Sequence, residues 1–577
     1  MTAPASPAVP AGAVPAGAVP AGAVGGAVDP GADGAADGAV VEALLRCWVR
    51  EHGLAVAPPE LALRLAAGTL AVPVVAPSAT GWHRFGPPRL DGVAVGAARL
   101  VAAMAGDLVA RRRLTPAQGD DLVARTVASR HRIAHHAAAR AGEPLALPPT
   151  FLDGEQGLVA GHPFHPAAKS RQGLSGAHLA ASSPELGGSF RLRWLAVDRS
   201  LVATGSAAGR PAEALLAELG DAPPAPPGTT AVPLHPWQAG AVLARPAVAR
   251  LVDAGALHDL GPGAGAWSPT SSLRTVWRPG AAWMLKLSLA VRVTNSRRDN
   301  RREELRLGEQ AARLMEAGVG RRLAAAHPRF GVVTDPAWVG VDVAGGGFDT
   351  GIRGNPFPPG APAVCVAALV DARPACGGPV LAALVHRLAA GTGRPPSAVA
   401  EEWVRRYVAE VVAPLAWLDA TFGIVLEAHH QNTLVTLDAH GWPVGGWYRD
   451  NQGWYVAAGA AARLERLAPG AALDAVYDDG LVARRGAYYL GVNNVLGLVG
   501  ALAAAGVADE GRLLAGVRVA LVALPPSPVL DVLLDAPCLP CKANLLTCAD
   551  GRDELDGPVE AQSVYVEVPN PLAGGRR

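Results

Sequence analysis

Residues 271–305 read SSLRTVWRPGAAWMLKLSLAVRVTNSRRDNRREEL. Between Leu285 and Val293, the apolar residues Leu285, Leu287, Leu289, Val291 and Val293 alternate with Lys286, Ser288, Ala290 and Arg292. A period of two is the mark of a strand, with the leucines and valines turned to a core and the polar set, continued by Thr294, on the other face. The turn signal Arg278-Pro279-Gly280 makes Ser272–Trp277 the preceding strand of a hairpin. A register pairing Arg274 with Lys286 sets Ser272 opposite Ser288 and gathers the cations on one face. Slipping it by one residue would put Arg274 among the leucines. Like charges side by side call for an anion between them. The same logic extends to a helix expected to start at Asn295 or Ser296, with Arg297, Arg298, Arg301 and Arg302 in its first turns. Cations there oppose the helix dipole unless a polyanion uses both the guanidinium groups and the free N–H groups.

Two further strings carry chemistry. GHPFHPAAKSRQGLS (161–175) holds His162, His165, Lys169 and Arg171; its prolines make it a loop, and hydrogen-bond donors on a rigid loop suit a carboxylate ligand better than a metal. EAHHQNTLV (427–435), followed by WYRDNQG (447–453), offers Glu427, the Asn432 amide and Asp450, hard oxygen donors of the kind that hold Mg²⁺ jointly with phosphates. His429 and His430 can donate to phosphate oxygens or act as a general base. There is no G-x-x-x-x-G-K-[ST] string, so a P-loop is excluded.

Composition bounds the rest. The 577 residues exceed a single core, 50% are hydrophobic, and 51 Lys+Arg against 50 Asp+Glu leave a net charge of +1. That balance speaks against nucleic acid as a partner. No uninterrupted apolar run reaches the ~20 residues of a membrane span, the longest, around 495–508, reading as a buried helix. The start MTAPASPAVP lacks a basic n-region, and six cysteines in so long a chain do not make a disulfide framework, so a cytoplasmic protein is expected. Only Lys169, Lys286 and Lys542 are lysines; among so many arginines, a retained lysine marks a site that needs a compact ammonium. Residues 1–38, built on a PAGAV repeat, read as a disordered tail. A helical N-terminal unit is expected over 39–148, with His131, His135 and His136 on a solvated helix face. A β-rich unit follows over 149–358, with a long loop at DAPPAPPGTT (221–230). A mostly helical unit over 359–577 has helices at 364–390 and 397–422 and a short strand at Thr433–Leu437. Cys538, Cys541 and Cys548 lack a fourth thiolate and read as free cysteines rather than a zinc or iron site.

Taken in order, GHPxHPxxKxRxG at 161–173, LHPWQ at 234–238, S-x-R…K…T-x-x-x-R at 272–298, EAHxQN at 427–432 and RD at 449–450 resemble the NRPS-independent siderophore synthetases, the aerobactin synthetase family. The similarity runs from about Phe151 to Leu555. It implies an α+β fold of three domains arranged as a cupped hand, with ATP between the middle and C-terminal domains and a ferric-reductase-like C-terminal region whose LPCKANLLTCAD string surrounds Lys542. It implies that ATP adenylates a carboxylic acid such as citrate, that pyrophosphate leaves, and that a polyamine, amino alcohol or hydroxylamine then attacks. By that resemblance Ser272, Arg274, Lys286, Thr294, Arg298, His429 and Asn432 hold ATP, with Lys286, Arg298 and His429 at the reacting centre. Glu427, Asn432 and Asp450 hold Mg²⁺, and His162, His165, Lys169, Arg171, Thr294 and Arg298 receive the acid. Two rival readings stay open at this level: a kinase-like phosphotransferase, because Asn432 and Asp450 flank a strand in the order of kinase metal ligands, and a ferric-iron-binding or reductase protein. The acid, the amine and the oligomeric state, a homodimer included, are not written in the sequence.

Overall fold

The computed structural model describes residues 30–174, 176–450, 452–469, 471, 474–553 and 562–574. The first 29 residues, most of the expected tail, lie outside this set. Pro30 to Gly38, assigned to the tail, instead open a helix, Pro30–Glu51. Ala32 and Ala36 are fully buried there, and Arg130 pairs with Asp33 and Asp37; small residues suit a helix that packs closely on its neighbour. The N-terminal unit is also less helical than expected: a small antiparallel sheet built on Glu60–Leu65 and Gly68–Ala76 sits between its helices. His131 and His135 are exposed as expected, but His136 is 2% exposed.

An eight-stranded sheet forms the middle of the chain, in the order Val202–Ser206, Ala337–Val341, Thr350–Gly354, Trp283–Lys286, Thr275–Trp277, Leu257–Pro269, Phe190–Asp198 and Thr229–Leu234. It has its own core, with Trp194, Trp267, Leu285 and Ile352 fully buried. The signature stretch departs from expectation in three ways. It is two strands, Trp283–Lys286 in the large sheet and Leu289–Val293 in a three-stranded one. Ser288 marks the change of partner, its hydroxyl donating to the Asp349 carbonyl and accepting from Asn300 N–H. The hairpin register is Thr275 opposite Lys286, one residue away from the expected pairing. Leu273 at φ 67° turns the chain just before the strand, and Arg274 lies outside it, its side chain bonded to the Arg298 carbonyl and to Asn300. Finally, Ser296–Arg298 is not a helix start but a third strand folded back on Leu289–Val293. The helix begins at Arg302 with Glu303 and Glu304 in its first turn, as its dipole favours. The five alternating apolar residues are nonetheless all 9% exposed or less.

LHPWQ is a structural string. His235 caps the helix Pro236–Leu243 by accepting from Trp237 N–H. Gln238 accepts from Ala290 N–H and donates to the Gly347 carbonyl, pinning the signature strand.

The expected C-terminal helices occur, though 364–390 opens with a strand, Ala363–Cys365, before its helices, and Thr433–Leu437 is a strand in a four-stranded sheet. One helical run, 479–504, is long and apolar enough to cross a membrane by composition, and 83% of its most apolar window is buried inside the fold. The N- and C-terminal units do not keep separate cores: one cluster runs from Leu44 and Trp48 through Phe164 to Trp403 and Leu545. Glu51 accepts from Leu545 and Leu546 N–H across this seam, and Glu510 binds the Ser78 and Thr80 hydroxyls.

Buried histidines make the fold acid-sensitive. Burial lowers His83 to about 4, and His136 and His235 to about 3. Between pH 6.5 and 4 the unfolded chain therefore binds protons that the folded chain refuses, so stability falls as pH drops through that window. The urea midpoint is expected to decline steadily from pH 7 to pH 5; a flat profile would contradict it.

Candidate active site

Lys286, the last residue of its strand, is 3% exposed, and its ammonium lies 2.7 Å from Asp450 Oδ1. Burial alone would raise the Asp450 carboxyl, but Lys286 and Arg353 outweigh it and hold the group ionised well below the usual range. Burial lowers the Lys286 ammonium against the pull of Asp450. Asp450 has φ 85° and Thr294 φ 54°, conformations that non-glycine residues adopt at a cost and that cluster at functional sites. Thr294 takes the first position of the two-residue turn joining Val293 to Ser296, where hairpins favour glycine.

The remaining cations close around this pair. Arg274 donates to the Arg298 carbonyl at 3.1 Å and to Asn300 Oδ1 at 2.9 Å. Arg298 Nη2 donates to Thr294 Oγ1 at 3.3 Å and, among the described residues, Arg298 has no carboxylate within ion-pair distance. Ser272 Oγ accepts from Thr275 N–H. Arg353, which the sequence reading passed over, lies 3.5 Å from Asp450 while held by both oxygens of Asp335. It sits in the strand Thr350–Gly354, whose sequence TGIRG carries no apolar alternation to mark it.

The C-terminal string meets this basin. Tyr448 Oη donates to the carbonyls of Asp450 and Gly453, and Asp450 and Glu427 both act on its phenol, after burial has raised it. A Cβ on Gly453 would lie 2.6 Å from Glu427 Oε2, so only glycine leaves that carboxylate its place. Asn432 Nδ2 donates to the Glu427 carbonyl, which leaves its side-chain oxygen as the acceptor end. Burial lowers His429 and His430 to about 4, so both rings are neutral near pH 7. His430 Nε2 donates to the Asn494 carbonyl and its N–H to Asn493 Oδ1, a structural role. Asn493 and Asn494 belong to a π-helical segment, Ala487–Val495, a form that recurs at functional sites; nothing in their local pattern announces it.

Glu427, Asp450 and the Asn432 amide oxygen are a hard donor set. Among the described residues, no group of three or more His, Cys, Asp or Glu side chains is placed to hold a metal ion. The donor chemistry of the two carboxylates and the amide oxygen is of the kind that suits Mg²⁺, an ion that leans on one or two carboxylates, water and phosphates.

The 161–173 loop divides. His162 Nε2 lies 3.1 Å from Asn493 Nδ2, beside the histidine string, and His165 Nδ1 accepts from Ala167 N–H. Lys169 and Arg171 do not face the basin. Lys169 Nζ is 2.6 Å from Glu185 Oε1, Arg171 grips both Glu185 oxygens at 2.6 and 2.7 Å, and all three are under 7% exposed. Their expected role as acid ligands is corrected to that of a buried ion network. Desolvating two such cations demands a partner carboxylate, and Glu185, 14 residues past Arg171, gave no sequence signal.

Residues 150–371 match the IucA / IucC family, and the chain is 39% identical over 535 residues to the rhizobactin siderophore biosynthesis protein RhbC of Rhizobium meliloti, covering 88% of this chain and 91% of that one. The chain belongs to the NRPS-independent siderophore synthetases of the IucA/IucC family. A spermidine-citrate ligase of Bacillus anthracis is 36% identical over 446 residues, 73% of each chain. The structure of ATP-bound aerobactin synthetase IucA from Klebsiella pneumoniae superposes with a TM-score of 0.84 at 28% identity, covering 93% of this synthetase and all of that chain. Residues 401–557 also match a ferric iron reductase FhuF-like transporter. In this synthetase all six cysteines are free, and burial raises the thiols of Cys541 and Cys548, the latter to about 11, which keeps them protonated near pH 7.

Proposed function

We propose that this siderophore synthetase uses ATP to activate a carboxylate of citrate or a related polycarboxylic acid and joins it to an amine or hydroxylamine, releasing AMP and pyrophosphate. The observation that carries the reading is the convergence of Lys286, Arg274 and Arg298 with Asp450 and Glu427, on a fold like that of an ATP-bound aerobactin synthetase. A carboxylate and a triphosphate repel each other, and this basin supplies the positive charge that lets them meet. Lys286, Arg274, Arg298 and Ser272 would hold the phosphates, and Thr294, Arg298, His429 and His162 would receive the acid. Glu427, Asp450 and Asn432 would hold Mg²⁺, which when bound neutralises phosphate charge. Held in line, the acid oxygen displaces pyrophosphate from the α-phosphorus, and the amine nitrogen then displaces AMP from the acyl carbon, losing a proton. Preorganised charge and positioning supply the rate. Six free thiols suit the reducing cytoplasm, where ATP is at hand.

Hydroxamate trapping across a panel of di- and tricarboxylic acids tests this. Citrate is expected to give hydroxamate together with AMP and pyrophosphate. ADP as the nucleotide product, or no acid-dependent hydroxamate, would refute it.

A further inference from the structure

Thr294 is β-branched, has φ 54°, and opens the two-residue turn between Leu289–Val293 and Ser296–Arg298. A residue of that shape keeps that conformation only where its surroundings over-determine it. The pose matters to the site. Thr294 Oγ1 donates to the Val293 carbonyl at 2.6 Å, which turns its lone pairs outward, and it accepts from Arg298 Nη2 at 3.3 Å. Where Thr294 sits therefore decides where the Arg298 guanidinium sits.

The grip on this turn comes from another unit of the chain. Arg125, 169 residues before Thr294, lies on the helix Pro116–Arg140. Its Nη2 donates to the Thr294 carbonyl at 2.5 Å and to Asn295 Oδ1 at 3.1 Å, so it binds both central residues of the turn. Its Nη1 donates to the Cys548 carbonyl at 3.2 Å and lies 3.4 Å from Asp121 Oδ2. One guanidinium thus ties the N-terminal helix, the signature turn and the C-terminal region together. Arg125 is 1% exposed, and its Nε has no hydrogen-bond partner among the described residues. Burying such a cation is costly, and an apolar side chain of similar volume serves stability at least as well. What the guanidinium adds is a set of donors aimed at the turn.

The same helix face holds the strand beside it. Ser129 and Arg132 follow Arg125 four and seven residues on, at helical spacing. Ser129 Oγ accepts from Lys169 N–H at 2.9 Å, and Arg132 donates to the Lys169 and Arg171 carbonyls at 3.4 and 3.2 Å. Arg171 is the strand partner of Val293, the residue that leads into the turn. The small three-stranded sheet is therefore bedded on this helix, with Arg125 at its turn.

We propose that Arg125 is a positioning residue for acid activation, holding Thr294 and Asn295 in the turn from which Thr294 and Arg298 meet the acid. The proposal rests on the acid–amine ligase reading above and adds that the N-terminal unit builds the acid-binding end of the site. Without Arg125, Thr294 relaxes toward negative φ and carries Oγ1 away from Arg298. Lys286 in the large sheet, and Ser272 and Arg274 ahead of its strand Thr275–Trp277, keep their places.

The test is a double-mutant cycle on the full-length protein, read by citrate-dependent ATP–pyrophosphate exchange. Arg125→Met is expected to raise KM for citrate by about tenfold or more, the scale of a misplaced binding group, while KM for ATP shifts by less than about threefold. An arginine that merely props the fold would move both together. In a Thr294→Gly background, positive φ has no steric cost. There Arg125→Met is expected to raise the citrate KM by less than about threefold, the mark of two coupled residues. Equal effects of Arg125→Met in the two backgrounds overturn the proposal, and so do parallel rises in both KM values. Removing Arg125 strands no buried carboxylate, because the Asp121 side chain is 38% exposed. If Arg125→Met nonetheless fails to fold, Asn295→Ala reads the same link from the turn without removing a charge, and a native citrate KM in that variant overturns the proposal. No acid-dependent exchange by the native protein would overturn the ligase reading and this proposal with it, whereas native exchange with an unmoved Arg125→Met overturns this proposal alone.

Discussion

Arg298→Ala is expected to lower ATP–pyrophosphate exchange by about 10²–10³-fold or more, the scale lost when one preorganised charge is removed from a reacting centre. Arg298 is the cleaner of the two decisive basin residues. It is half-buried, and among the described residues no carboxylate is paired with it, so its removal strands no buried charge and the fold should survive. Lys286→Ala is expected to abolish exchange as well, but it removes the ion partner 2.7 Å from Asp450 and leaves that carboxylate to Arg353 at 3.5 Å. Circular dichroism on both variants separates lost chemistry from lost structure. A native exchange rate in either would take that residue out of the mechanism.

The largest stability effect is expected at Arg449 and Glu155. Their side chains are 6% and 0% exposed, with nitrogen and oxygen 2.7 Å apart. Arg449 Nη2 also donates to the Gln431 carbonyl, and Ser271 donates its N–H and hydroxyl to Glu155. This pair ties the EAHHQN string to the turn that carries Ser272 and Arg274. Burial would lower the Arg449 guanidinium, but Glu155 outweighs it. Breaking one partner of such a pair costs about 3–5 kcal/mol, because the other charge is left buried alone. Arg449→Met and Glu155→Leu should each destabilise on that scale in urea titrations. The double variant should recover much of the loss, since two apolar side chains leave no orphan charge. A double variant as unstable as the sum of the singles would show that the ion pair is not what the singles lose.

The alternation from Leu285 to Val293 predicted the buried side chains correctly, because burial on a strand depends only on parity. It could not predict that the strand changes sheets at Ser288, a change made by hydrogen bonds to Asp349 and Asn300, the first 61 residues distant in sequence. Nor could it place the helix start. RRDNRREEL offers no apolar residue before Leu305 to fix a helical phase, so a strand and a helix fit equally well until Leu289–Val293 supplies the pairing partner.

The same division runs through the site. Residue type and order alone marked Lys286, Arg274, Arg298, Asp450 and Glu427, because anion binding and hard-metal binding each require particular side-chain chemistry, and that chemistry is written locally. Which of the marked cations face the basin was settled by tertiary structure. Lys286 has Asp450 for a partner and the basin around it, whereas Lys169 and Arg171 were claimed by Glu185, and Arg353 joined without having been marked. A charge acts on whatever lies within a few ångströms of it, and distance through space is what a linear sequence does not record.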